Sequence, residues 1–83
     1  MEHYLILARS ITHAQRMQRI LSGAGVRTQV YRAPRELTES GCAYVLQVAA
    51  RDLTAALTAL RRDRMGPIQI YLYQQGVYRE VGG

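Results

Sequence analysis

The chain has 83 residues, 48% of them hydrophobic and 20% charged, with a formal net charge of +5. That length allows one domain, spanning 1–83, which buries about 60–65% of its unfolded surface and so needs no covalent staple. The composition excludes a disordered chain, and the longest apolar runs, residues 4–8 and 42–46, fall far short of the ~20 needed to span a bilayer. Glu2 and His3 stand where a secretory leader would carry a basic region, so a cytoplasmic protein with no membrane contact is expected.

Residues 4–8 form a short apolar run, and a first strand is predicted over about 3–8. Ser10 is a suitable N-cap, because its hydroxyl can accept from an otherwise unpaired N–H of a helix start. Ala14, Met17, Leu21 and Ala24 then recur at helical spacing, predicting a helix over 11–24 that stops at Gly23 and Gly25. Val26, Thr28 and Val30 alternate with Arg27, Gln29 and Tyr31, predicting a strand over 26–33 that Pro34 ends. A polar connection of about eight residues runs to Gly41, longer than a hairpin loop and of the kind that carries function.

A third strand is predicted over 42–49, with Tyr44, Leu46 and Val48 on one face and Val45 and Gln47 on the other. Leu53, Ala56, Leu57 and Leu60 form the stripe of a second helix over 51–65, with Asp52 in its first turn and Arg61, Arg62 and Arg64 in its last. Gly66 and Pro67 make a turn. Ile68, Ile70 and Leu72 alternate with Gln69, Tyr71 and Tyr73 in a fourth strand over 68–74, and the tail beyond is expected to fray. The order β-α-β-β-α-β with two right-handed crossovers predicts an α+β fold: a ferredoxin-like sandwich whose four antiparallel strands lie in the order 4-1-3-2, with both helices on one face.

Cys42 is the only cysteine, so neither an internal disulfide nor a Cys-x-x-Cys redox pair can form. With His3 and His13 the only histidines, no metal site and no cofactor is expected. In the predicted topology Cys42 opens the strand beside the first, close to Ala8, Arg9, Ser10 and the helix turn holding Thr12 and His13. A helix N-terminus favours a thiolate, and with Arg9, Arg32 or Arg35 nearby the thiol would fall from about 8.5 to roughly 7.5. His13 is the candidate base or charge partner. A lone cysteine also commonly fills a core, and spacing alone leaves that alternative open.

Ser10, Ile11, Thr12, His13 and Ala14 open a helix, Pro34, Arg35, Glu36 and Leu37 follow the second strand, and Ser40, Gly41 and Cys42 open the third. In these stretches the chain resembles the selenium/sulfur (Se/S) carrier protein-like family over roughly residues 4–73. Ala43 stands where that family often has glycine after its cysteine. The resemblance implies one βαββαβ domain and a carrier of sulfur or selenium on Cys42, supported by Ser10, Thr12, His13, Arg35, Ser40 and Gly41. Its partners would be donor and acceptor proteins, and it would be a carrier or accessory protein rather than a stand-alone enzyme. The competing reading is a module without covalent chemistry, one that binds RNA through the sheet face carrying Tyr71 and Tyr73 or one of the same architecture that senses a small molecule. Neither aromatic motif of RNA-recognition domains is present, and there is no Phe or Trp, so nucleic acid is disfavoured and Tyr71 and Tyr73 better suit a homodimer interface.

Overall fold

A computed structural model describes residues 3–37, 43–65 and 68–82. Its elements are β1 (His3–Ala8), α1 (Ile11–Gly23), β2 (Gln29–Arg32), a 3-10 turn (Arg35–Leu37), β3 (Tyr44–Ala49), a second 3-10 turn (Ala50–Asp52), α2 (Leu53–Arg62), β4 (Ile70–Gln74) and β5 (Val77–Gly82). All strand pairs are antiparallel, in the order β2-β3-β1-β4-β5. The first four strands therefore lie as expected, but the sheet has five strands, not four.

The fifth strand replaces the expected frayed tail, and its cause is a tight turn. Gln75 and Gly76 both adopt positive φ, 51° and 79°, between Gln74 and Val77, which pair directly. A two-residue loop with both residues left-handed matches the natural twist of a hairpin. Further along, Ile70 pairs with Gly82 and Tyr71 with Glu80, so Val81 is the extra residue of a bulge.

Side-chain alternation divides the sheet into two faces. Ile6, Ala8, Leu46, Val48, Ile68 and Ile70 pack with Ala14, Met17 and Leu21 of α1 and with Ala56 and Leu60 of α2. Both helices thus cover one face. The opposite face holds a second cluster of Leu5, Ala33, Ala43 and Val45, against which Leu7, Leu37, Tyr71 and Tyr78 pack. The turn Arg35–Leu37 lays Leu37 onto this face.

Both helices close with one backbone device. In α1 the Val26 N–H donates to the Leu21 carbonyl (2.9 Å) and the Gly25 N–H to that of Ser22 (3.1 Å), with Gly25 at φ 80°. This is a Schellman motif, completed by contact between buried Val26 and Leu21. Ala24, expected in the apolar stripe, is its exposed cap. Val26 is spent on this cap, which is why β2 starts at Gln29 rather than at 26. In α2 the Met65 N–H donates to Leu60 (3.0 Å) and the Arg64 N–H to Arg61 (3.0 Å). Arg64, expected in the last turn, is the left-handed residue beyond it, at φ 58°.

A Cβ in the left-handed region costs about 1–2 kcal/mol. Arg64→Gly should therefore raise the free energy of unfolding by about 1 kcal/mol, and Gly25→Ala should lower it by about as much. Urea titration followed by circular dichroism checks both; equal effects of either sign at the two positions would contradict the account.

Candidate functional site

Of the residues singled out in the sequence, Ser40, Gly41 and Cys42 lie outside the described residues, as does the turn at Gly66 and Pro67. The frame on either side of the cysteine is described. Tyr44, first in β3, pairs with Ala8 at the end of β1 and with Arg32 at the end of β2. The Ala33 N–H donates to the Ala43 carbonyl at 2.9 Å. Ala43 is 6% exposed and belongs to the cluster on the face away from the helices.

Two residues beyond Ala8, Ser10 caps α1. Its backbone is extended (φ −153°, ψ 165°) and its Oγ accepts from the His13 N–H at 3.1 Å. The cap works because a short hydroxyl side chain can turn back on the first helical turn while the chain is still leaving the strand. Thr12 is exposed and His13 half-buried on that turn. No acidic side chain stands in the first turn of α1. Burial, followed by the charges of Arg9 and Arg16, holds the His13 imidazole below its ordinary pKa. Its neutral form is therefore favoured. Arg35 stands exposed at the start of the 3-10 turn.

Tyr71 is half-buried, in contact with the second cluster, and Tyr73 is 39% exposed. Tyr73 pairs across strands with Tyr78, their rings 4.8 Å apart and tilted by 42°. Burial, Tyr73 and Glu36 together raise the Tyr78 phenol pKa. Tyr78 escaped the sequence reading because β5 did; the signal was Gly76 between the alternating run Ile70–Gln74 and the β-prone pair Val77 and Tyr78. Beside this pair lies a trough of about 460 Å³, bordered also by His3, Leu5, Tyr31, Arg32, Pro34, Val45 and Gln47. A second cavity of about 730 Å³ lies where α1 ends and β2 begins, lined by Gln18, Ser22 and Thr28 among others. There the Gln18 side chain donates to the Thr28 carbonyl at 3.2 Å, and the Thr28 Oγ1 is buried without a partner among the described residues.

The family model described as "Putative Se/S carrier protein-like" matches residues 3–72. The chain belongs to this family. Comparison with curated proteins and with solved structures gives no match. The family span runs from β1 into β4 and takes in Ser10, Thr12, His13, Arg35 and Cys42; Tyr73, Tyr78 and β5 lie beyond it. Among the described residues no helix is long and apolar enough to cross a membrane, and no group of three or more His, Cys, Asp or Glu is placed to hold a metal.

The lowered His13 pKa has a consequence for stability. Because the folded value lies below the unfolded one, the unfolded chain takes up this proton first as pH falls. The contribution is nil well above about pH 6.5, becomes destabilising as pH falls from there towards the lowered folded value, and levels off below it. Proton NMR should show His13 titrating below a histidine in a free peptide, and Arg9→Gln should move it upward. In unfolding experiments His13→Gln should flatten this part of the pH dependence; an unchanged slope would contradict the assignment.

Proposed function

We propose that this protein carries sulfur or selenium on Cys42, receiving it from one protein and delivering it to another. The observation that carries this reading is the family match over residues 3–72, which includes the chain's single cysteine. Two features support it. The end of β1, the capped start of α1 and the beginning of β3 meet at one edge of the sheet, since Ala8 pairs with Tyr44 and Ser10 follows Ala8 by two residues. That edge carries free helix N–H groups with Arg9 and Arg16 around a neutral imidazole, a setting that favours a thiolate and an anionic cargo.

The chemistry needs no cofactor. The Cys42 thiolate attacks the outer sulfur of a donor persulfide, R–S–SH. The donor's S–S bond breaks, R–S⁻ leaves, and Cys42 becomes Cys–S–SH. A thiolate on the acceptor then attacks the outer sulfur of Cys42 and releases the Cys42 thiolate. Each step exchanges one S–S bond for another, so no oxidant or reductant is consumed. A selenium atom in the outer position moves in the same way. With no second cysteine in the chain, the persulfide cannot be lost to an internal disulfide.

The reading is tested by incubating the protein with a persulfide donor and measuring the intact mass. One added sulfur is expected, absent in Cys42→Ser and removed by a thiol acceptor. Iodoacetamide should alkylate Cys42 faster at neutral pH than it alkylates a free model thiol, and His13→Ala with Arg9→Gln should slow the reaction about threefold to tenfold. A thiol that alkylates like a free model compound and never gains sulfur would remove the proposal.

A further inference from the structure

The ends of β1, β2 and α2 and the starts of α1, β3 and β4 meet at one end of the molecule. Ala8 and Arg32, which close β1 and β2, both pair with Tyr44, which opens β3. The Leu7 N–H donates to the Gln69 carbonyl at 3.0 Å, just ahead of β4. α2 sets out from the far end, where Ala49 pairs with His3, so it runs toward this one.

Guanidinium groups gather at that end. Arg9 precedes the cap of α1, Arg32 and Arg35 flank Ala33 and Pro34, and Arg61, Arg62 and Arg64 close α2; all are exposed. Helix ends alone do not account for them. The C-terminus of α2 carries only about half a negative charge, and the start of α1 carries the opposite sign, so Arg9 gains nothing from it. The exposed carboxylates here are Glu36 and Asp63. Glu39, outside the described residues, falls between Leu37 and Ala43 in the chain; set against the arginines as well, it leaves them in excess. Toward the far end Arg27 and Arg51 are matched by Asp52 and, in sequence, by Glu2, and Arg79 adjoins Glu80. The net charge of +5 is therefore weighted toward the end where β3 begins.

Amid these cations Ile11, the first residue of α1, is 42% exposed. An apolar side chain within a charged rim is the layout of a protein contact surface. Single-stranded nucleic acid would instead ask for rings to stack on. The exposed rings, Tyr31 and Tyr73, border the trough over Leu5 and Val45, on the face away from the helices.

On the reading that Cys42 carries sulfur or selenium, we propose that this basic end is where its donor and acceptor proteins dock, and that they bring acidic side chains around their own reactive thiol. Complementary charge speeds encounter and sets orientation more than it adds affinity. That suits a carrier, which must leave each partner after one transfer.

Titrations followed by ¹H–¹⁵N NMR test the proposal with three probes: a capped peptide of four glutamates around a central serine, its counterpart with four lysines, and pentauridylate, which carries the same charge as the first. The glutamate peptide should give saturable shifts at Arg9, Ile11, Arg35, Arg61 and Arg62. It should bind at least about fivefold more tightly than the lysine peptide, and lose most of that advantage when salt is raised from about 0.02 to about 0.2 M. Arg61→Gln with Arg62→Gln should weaken it by about threefold or more, whereas Arg27→Gln with Arg51→Gln, which removes the same charge at the far end, should leave it within about twofold. Circular dichroism verifies that both variants fold. With cysteine in place of serine, the glutamate peptide should take sulfur from loaded Cys42 faster than the lysine peptide does, each rate being divided by that of the same peptide with a free persulfide. The proposal is overturned if the two peptides bind alike, if the shifts centre on Arg27 and Arg51, or if the two variants weaken binding equally. Pentauridylate binding these residues more tightly than the glutamate peptide would assign this end to RNA instead. Sulfur on Cys42 without peptide binding overturns the docking surface alone; peptide binding with no sulfur ever gained by Cys42 overturns the carrier reading and leaves a docking surface for acidic proteins.

Discussion

The arrangement depends on β1 being sealed on both faces. Ile6 is fully buried under the helices, and its neighbour Leu5 is 6% exposed on the other side. A strand with adjacent residues buried in opposite directions must sit inside a sheet and be covered twice. Helices do this on one side; the 3-10 turn and the tyrosines do it on the other. Its two antiparallel partners are then fixed in register, because a slip by one residue would exchange the two cores. The same register sets Ala8 against Tyr44, so the capped start of α1 is brought to the beginning of β3 by packing in the centre of the sheet.

The two halves of the chain share geometry without sharing sequence. Val26 with Leu21 and Met65 with Leu60 are equivalent pairs, each made of the second residue past the helix cap and one three residues before the cap. Glycine supplies the left-handed residue in one half, and arginine is forced into it in the other. Burial of the residue that follows outweighs the local strain: tertiary packing, not the intrinsic preference of Arg64, determines where α2 ends.

Much of this was legible in the residues. Ala14, Met17 and Leu21 mark the buried stripe of α1, Ser10 marks its start, and alternation in β3 sorts Leu46 from Val45. Long periodic patterns report burial directly, so the helices and the order of the first four strands follow from them. The failures have physical causes too. β5 was hidden because its turn has Gln75 where hairpins prefer Asn, Asp or Gly, and because Val77 and Val81 are exposed and announce no core. Leu37 was hidden in a polar stretch, where one apolar residue has no period; yet that residue closes half of the second face. The charge state of His13 follows first from burial and then from the charges of Arg9 and Arg16, and the burial of one side chain at a helix start has no signature in spacing. For Cys42 the sequence and the family remain the evidence.

The irregular end of the β4–β5 hairpin has a consequence for how the sheet meets other chains. An outermost strand offers a row of unsatisfied amides to any passing chain, and with Val77 and Val81 exposed on β5 that invitation would be apolar as well. The extra residue at Val81 breaks the row and twists it away from flatness, and the opposite border, β2, is only four residues long and ends in the charge of Arg32. Neither border is a good template for growth by addition of further strands, so a small sheet built from five segments can stay finite.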